Sequence, residues 1–126
     1  MMTGQNQGKS NEENPMSEPE VWQVVTTTDT EDEAATLAAG LIDRHLAACV
    51  QVDGPIRSTY RWEGKATTDP EWRLTIKTTA ERYPAMAAWL IEQHSYDVPE
   101  LLATKVVTGN VDYIGWVSDE IDDVKV

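Results

Sequence analysis

The densest chemistry in this chain lies in seven consecutive residues, His94-Ser95-Tyr96-Asp97-Val98-Pro99-Glu100. They place an imidazole, a phenol and two carboxylates around one proline. Histidine changes charge near physiological pH, and its neutral ring is a common metal ligand, so the stretch could bind a ligand, shuttle protons or act as a switch. The structural alternative is a histidine capping a helix C-terminus, where the helix dipole favours cations. Pro99 biases Val98 towards extended geometry, and an amphipathic pattern ends at His94, so the stretch reads as a helix-to-strand crossing at one end of a sheet. Cys49 is the only thiol. Thiolate and imidazole together suit copper or zinc, whereas carboxylates alone suit harder ions. Cys49 and His94 are therefore the first candidate ligands, with Glu100 and Asp97 behind them. No CxxC, HxxxH or cysteine pair accompanies them, so a tight site closed within one chain is not expected, and a metal would need a site shared between subunits.

Flat apolar side chains and a few polar groups could also form a ligand cleft from Tyr60, Trp62, Lys77, His94, Tyr96, Glu100 and Trp116. Lys77 would hold an anion there, or pair with Glu100 or another acid. Aromatics of this size also anchor subunit interfaces, and that is the competing reading for Tyr60, Trp62 and Trp116. Catalysis is not expected. No serine or cysteine sits in a nucleophile motif, and no glycine-rich phosphate loop is present.

The elements that must position these groups follow in order. Val21 to Thr28 is β-branched and aromatic, the pattern of a buried strand. Thr30 and Glu33 form a capping box opening a helix, with Ala34, Leu37, Ala38, Leu41 and His45 at helical spacing and Arg44 near its end. Gly40 in that helix implies a close approach to the sheet. Ala48, Val50 and Val52 alternate with polar residues, Asp53-Gly54-Pro55 interrupts as a bulge in one long strand, and alternation resumes with Ile56, Ser58, Tyr60 and Trp62 on one face. Gly64 and Thr67-Thr68-Asp69-Pro70 supply turn chemistry before Trp72, Leu74, Ile76 and Thr78 alternate. The two long strands form a hairpin arm whose aromatic rows would be exposed in a monomer, so it is expected to reach a neighbouring subunit. Pro84 opens a second helix with a stripe of Met86, Trp89 and Leu90. Residues 101 to 108 read as a fourth strand. A short helix follows Gly109-Asn110 with Tyr113, Trp116 and Val117 on one side.

Strand, helix, strand, strand, helix, strand predicts an α+β, ferredoxin-like βαββαβ sandwich, an antiparallel sheet with both helices on one face, extended by the hairpin arm and the short C-terminal helix. Ala47-Ala48-Cys49-Val50, Tyr60-Arg61-Trp62-Glu63-Gly64-Lys65, Ile76-Lys77-Thr78, the loop from His94 to Glu100, and Gly109-Asn110 followed by Tyr113 and Trp116 stand in the order of the CutA family of divalent-cation tolerance proteins, which residues 21 to 122 resemble. The resemblance implies a homotrimer similar to the PII signalling proteins, with long hairpins packed between subunits and a role in tolerance to copper and other divalent cations. The family loop reads His-Pro-Tyr-Glu, whereas Ser95 and Asp97 stand here in place of the proline and the glutamate. Losing the proline frees a backbone N–H, and the shorter carboxylate retracts by one methylene.

The net charge of -12, from 22 acids against 10 bases, argues against nucleic acid and anionic membranes as partners. It serves solubility and raises the local cation concentration. The resemblance, rather than the charge, makes divalent metal ions and further copies of the chain the expected partners, with no obligatory cofactor and copper or another divalent cation as the ion to test. Residues 1–19 are polar and acidic and are expected to be disordered, leaving residues 20–126 as the folded domain. The polar start lacks a secretory h-region, no segment approaches the roughly 20 apolar residues that span a bilayer, and a lone cysteine fits a reducing compartment. The expected location is the cytoplasm.

Overall fold

A computed structural model describes residues 19–122, so the expected disorder of the N-terminal tail lies almost wholly outside the described residues. The elements run β1 (Val21–Thr28), α1 (Glu31–Asp43), β2 (Cys49–Trp62), β3 (Lys65–Thr79), α2 (Tyr83–Gln93), β4 (Leu102–Lys105) and α3 (Val111–Ile121). The four strands form one antiparallel sheet in the order β2-β3-β1-β4. No helix among the described residues is long and apolar enough to cross a membrane.

Period-two alternation sends every second side chain to one face, where two helices close over it. Val24 from β1 and Leu74 and Ile76 from β3 cluster with Leu37 and Leu41 of α1 and Met86 and Leu90 of α2, all buried. Full burial of one such side chain contributes about 2–3 kcal/mol. A second cluster joins Val21 to Val117 and Ile121 of α3. Thr78, fully buried, donates its hydroxyl hydrogen to the Leu46 carbonyl at 2.8 Å, so its polar atom is satisfied.

Several expectations are corrected. Thr67 to Pro70 form no turn; they pair with Tyr60, Thr59, Ser58 and Arg57 inside the arm. The turn is only Glu63-Gly64, with φ of 50° and 81°, the left-handed pair that a two-residue hairpin needs to match strand twist. The bulge falls where expected, between Asp53 and Ile56. Gly40 does allow a close approach, but to the other helix: a Cβ there would lie 2.5 Å from the Trp89 ring. The Arg44 guanidinium covers that ring 4.9 Å from its centroid. His45 leaves the apolar stripe, because it lies beyond α1 with φ 56° and donates from Nδ1 to the Glu120 carbonyl at 3.1 Å. The fourth strand spans Leu102–Lys105 rather than 101 to 108, and the last helix runs to Ile121 with Asn110 as its N-cap.

Candidate functional site

The candidate site is where the arm, the C-terminal end of β1 and the loop after α2 meet. Helix α2 stops at His94, whose N–H still bonds to the Leu90 carbonyl at 3.0 Å while its own φ and ψ of -70° and 142° turn the chain into extended geometry. The His94 side chain is completely buried. Its Nε2–H donates to the Thr27 carbonyl at 2.9 Å, and Nδ1 accepts from the Tyr96 N–H at 3.1 Å. A ring nitrogen accepting from an amide carries no proton, so these partners set the Nε2–H tautomer. Glu33 Oε2 lies 3.7 Å from Nδ1 but does not receive a proton from it. That carboxylate is occupied instead by the Ser95 N–H at 2.9 Å and the Ser95 hydroxyl at 2.8 Å.

The expected capping box is therefore half formed. Thr30 accepts from the Glu33 N–H at 3.1 Å, but the Glu33 side chain turns to the loop 62 residues away. The serine at position 95 makes this possible, since a proline there would offer neither its N–H nor a hydroxyl.

From this anchor Tyr96 packs its ring 4.9 Å from that of His94 and donates its phenol to Glu71 at 2.7 Å. Across the arm, Tyr60 donates to Asp69 at 2.6 Å. Between them lies a cleft of about 1130 Å³. Trp62, Tyr60, Tyr96 and Val98 give it apolar walls, and Asp29, Asp69, Glu71, Asp97 and Glu100 give it five carboxylates with no lysine, arginine or histidine among the lining residues. The negative field is felt by the phenols. Burial first, then the hydrogen bond to Glu71 and the charges of Glu71, Asp29 and Glu33, push the Tyr96 pKa well above the usual phenol value. Tyr60 is shifted in the same direction, chiefly by its bond to Asp69.

A phenol whose pKa is higher in the folded chain than in the unfolded one adds stability in full below the unfolded value near 10, and this is lost as pH rises towards the folded value. Denaturant unfolding followed from pH 9 to 12 should therefore show falling stability above about pH 10, with a shallower fall in Tyr96→Phe. Parallel pH profiles for the two proteins would remove Tyr96 as the cause.

Of the residues expected in the cleft, Tyr60, Trp62, Tyr96 and Glu100 line it together. His94 lies beneath Tyr96 and supports the loop with both ring nitrogens engaged. Trp116 stands elsewhere, against the cluster of Val21, Val117 and Ile121. Lys77 meets neither an anion nor Glu100; its ammonium donates to the Gln51 side chain at 2.8 Å. Cys49 and His94 are not brought together within one chain. Cys49 pairs with Lys77 and so with Gln23, whereas His94 is bonded at Thr27, four residues further along β1, or about 13 Å of strand. The thiol's neighbour is Tyr113, whose phenol is shifted upward by burial and then by Cys49. Among the described residues no group of three histidine, cysteine or acidic side chains is placed to hold a metal ion. Asp29, Asp69, Glu71 and Thr27 were not expected in the site. Recognising the Glu63-Gly64 turn would have placed Asp69 opposite Ser58 and beside Tyr60; nothing in the sequence signals that Glu71 meets Tyr96.

Comparison with known proteins bears on the whole described domain. Residues 22–120 match the family described as CutA1 divalent ion tolerance protein. The divalent-cation tolerance protein CutA of Thermus thermophilus is 35% identical over 96 residues, covering 76% of this chain and 93% of that protein. Protein CutA 1, chloroplastic, of Oryza sativa is 38% identical over 96 residues, covering 76% of this chain and 54% of the plant protein, so the chain spans about half of that longer relative. The crystal structure of CutA1 from Oryza sativa superposes with a TM-score of 0.81 at 34% identity, over 83% of this chain and 96% of that one.

Proposed function

The chain belongs to the CutA1 divalent ion tolerance family, and from that premise we propose that it serves divalent-cation tolerance as a cytoplasmic, ferredoxin-like, PII-like homotrimer, binding ions such as copper weakly or at sites shared between subunits. The family match across nearly all of the described domain carries this reading. Within one chain Cys49 and His94 lie apart and His94 is buried with both ring nitrogens engaged, so a metal site shared between subunits would draw on Cys49 and Glu100, because zinc needs its donors within about 2.0–2.3 Å. The trimer is supported by two open sheet edges, β2 and β4, and by aromatic side chains on the arm that stand in solvent, Trp62 at 61% exposure and Tyr60 at 44%. Unpaired strand edges invite pairing with another chain. A non-catalytic role follows the family's description as a tolerance protein. The charge of -12 supports cations over nucleic acids or anionic membranes as partners, and the single thiol supports a reducing compartment.

One experiment tests both parts. Light scattering on the intact protein should return three times the 14.1 kDa chain mass, and Trp62→Ala should dissociate or destabilise the assembly. Copper and zinc titrated against a competing chelator should bind to the assembled protein and weaken in Cys49→Ala. A monomer at micromolar concentration would sink the shared site, and unchanged mass and melting temperature in Trp62→Ala would remove the arm from the interface. Metal affinity indifferent to Cys49 would reduce the binding to general attraction by an acidic surface.

A second reading, a PII-like signalling trimer that holds a small molecule in the cleft, is favoured by the aromatic walls and convergent polar groups between the arm and the loop.

A further inference from the structure

We infer that the outer face of the arm, which carries Arg57 and Arg61, seats against the loop side of the cleft of a second copy of the chain, where Asp97 and Glu100 meet the two guanidinium groups. This rests on the reading of the protein as a ring of three and assigns the charged contact that closes it.

Strand register divides the arm into two faces. Cross-strand partners share a face and neighbours along a strand alternate, so Ser58, Tyr60, Trp62, Asp69 and Glu71 stand on the cleft face, whereas Arg57 and Arg61, paired with Pro70 and Ala66, stand on the opposite one. Between the two arginines the Thr59 and Thr68 hydroxyls bond to each other at 2.8 Å, so the guanidinium groups are the polar side chains of that face still open to a partner. Its residues from Arg57 to Arg61 and from Ala66 to Pro70 are exposed.

The arm also holds the bases that lack a counter-charge. Arg73 is paired with Asp53 and Lys105 with Glu20, while Lys77 is bonded to Gln51 and Arg44 lies on Trp89. Arg57 and, at the arm's tip, Lys65 make no hydrogen bond or ion pair among the described residues. Arg61 reaches only the Gly64 carbonyl of its own turn, at 3.3 Å. On the loop side of the cleft Asp97 and Glu100 are exposed and equally without a partner among the described residues, whereas Asp69 and Glu71 are held by phenols.

The backbone of the arm lies between Arg57 and Arg61 and the cleft of their own chain, so these open charges meet between chains. A foreign basic partner would answer the acids and leave the arginines open. A second copy answers both with one contact. Arm against cleft joins two different patches, and head-to-tail contacts of that kind close into rings. Apolar cover points the same way: Val98 and Trp62 at the cleft are 90% and 61% exposed, and the seated face brings Ala66 and Pro70 to lie over them. Charge complementarity across an interface fixes register and suppresses wrong pairings, so the contact sets which face of the arm docks.

The test is a charge swap on the full-length protein, with mass followed by light scattering through a dilution series at about 0.15 M salt, in moderate urea so that a tight assembly still dissociates. R57E/R61E and D97K/E100K should each associate about tenfold more weakly than the parent, and the combined variant R57E/R61E/D97K/E100K should recover most of that loss. D97K/E100K is decisive against general repulsion, because it lowers the net negative charge and yet should weaken assembly. Parental or tighter association in D97K/E100K would overturn the inference in favour of overall charge. A combined variant as weak as the sum of its parts would show that the two faces do not meet, leaving the trimer intact and the cleft open to a small ligand. A parent protein that stays monomeric without urea would overturn the ring itself and this contact with it.

Discussion

His94→Ala is expected to lower the unfolding free energy by roughly 2–4 kcal/mol, more than any other single change in the loop. The ring is wholly buried, and its loss leaves a cavity under Tyr96 together with two polar groups, the Tyr96 N–H and the Thr27 carbonyl, deprived of a partner. Each lost hydrogen bond contributes about 1 kcal/mol and the cavity adds a comparable amount. The specific signature is local. Amide exchange at Tyr96 should accelerate towards that of an open loop, because its acceptor is gone. Denaturant melts and amide exchange on the same variant measure both quantities. Near-parental stability with a protected Tyr96 amide would mean that the imidazole does not hold the loop. The expected result also governs how metal data are read: lost affinity in His94→Ala would follow from a collapsed loop as readily as from a lost ligand, so Cys49→Ala is the cleaner probe.

Leu74→Ala should cost about 2–5 kcal/mol, the range for emptying a filled core position. Leu74 is fully buried at the centre of the main core, on β3, which is flanked by β1 and β2 and covered by both helices. Its loss should leave the Tyr96 amide protected relative to global unfolding, and that contrast separates a core defect from a loop defect of similar size. A cost below 1 kcal/mol would show that the neighbouring side chains collapse into the space. Comparable loosening at Tyr96 would show that the loop and the core unfold as one unit.

The core was legible because burial repeats with the period of each element. Leu37 and Leu41, or Leu74 and Ile76, announce their faces without knowledge of what covers them. The bulge was legible from Asp53-Gly54-Pro55, and the start of α2 from Pro84. The arm's turn was misplaced because Thr67-Thr68-Asp69-Pro70 has good turn composition, yet Glu63-Gly64 supplies the left-handed pair that a tight hairpin requires. His45 looked like a core position because the helical period carries on past the helix, and no local signal announces that the backbone turns left-handed there.

Long-range pairing of polar side chains was not legible at all. Local rules send the Glu33 carboxylate back to its own helix end, but Ser95 offers two donors where the tertiary fold brings α1 against the loop, and two hydrogen bonds to a carboxylate outweigh one. By itself the sequence determined the elements, their order, the apolar faces and the acidity, because each is written in composition and local spacing, while the resemblance of five motifs in order pointed to the family. Only the tertiary structure decided that His94 is a buried support, that Cys49 lies far along the sheet from it, and that Lys77 stays out of the cleft. It alone set five carboxylates against three aromatic rings, since which polar groups meet depends on strand register and on loop paths that no local pattern encodes.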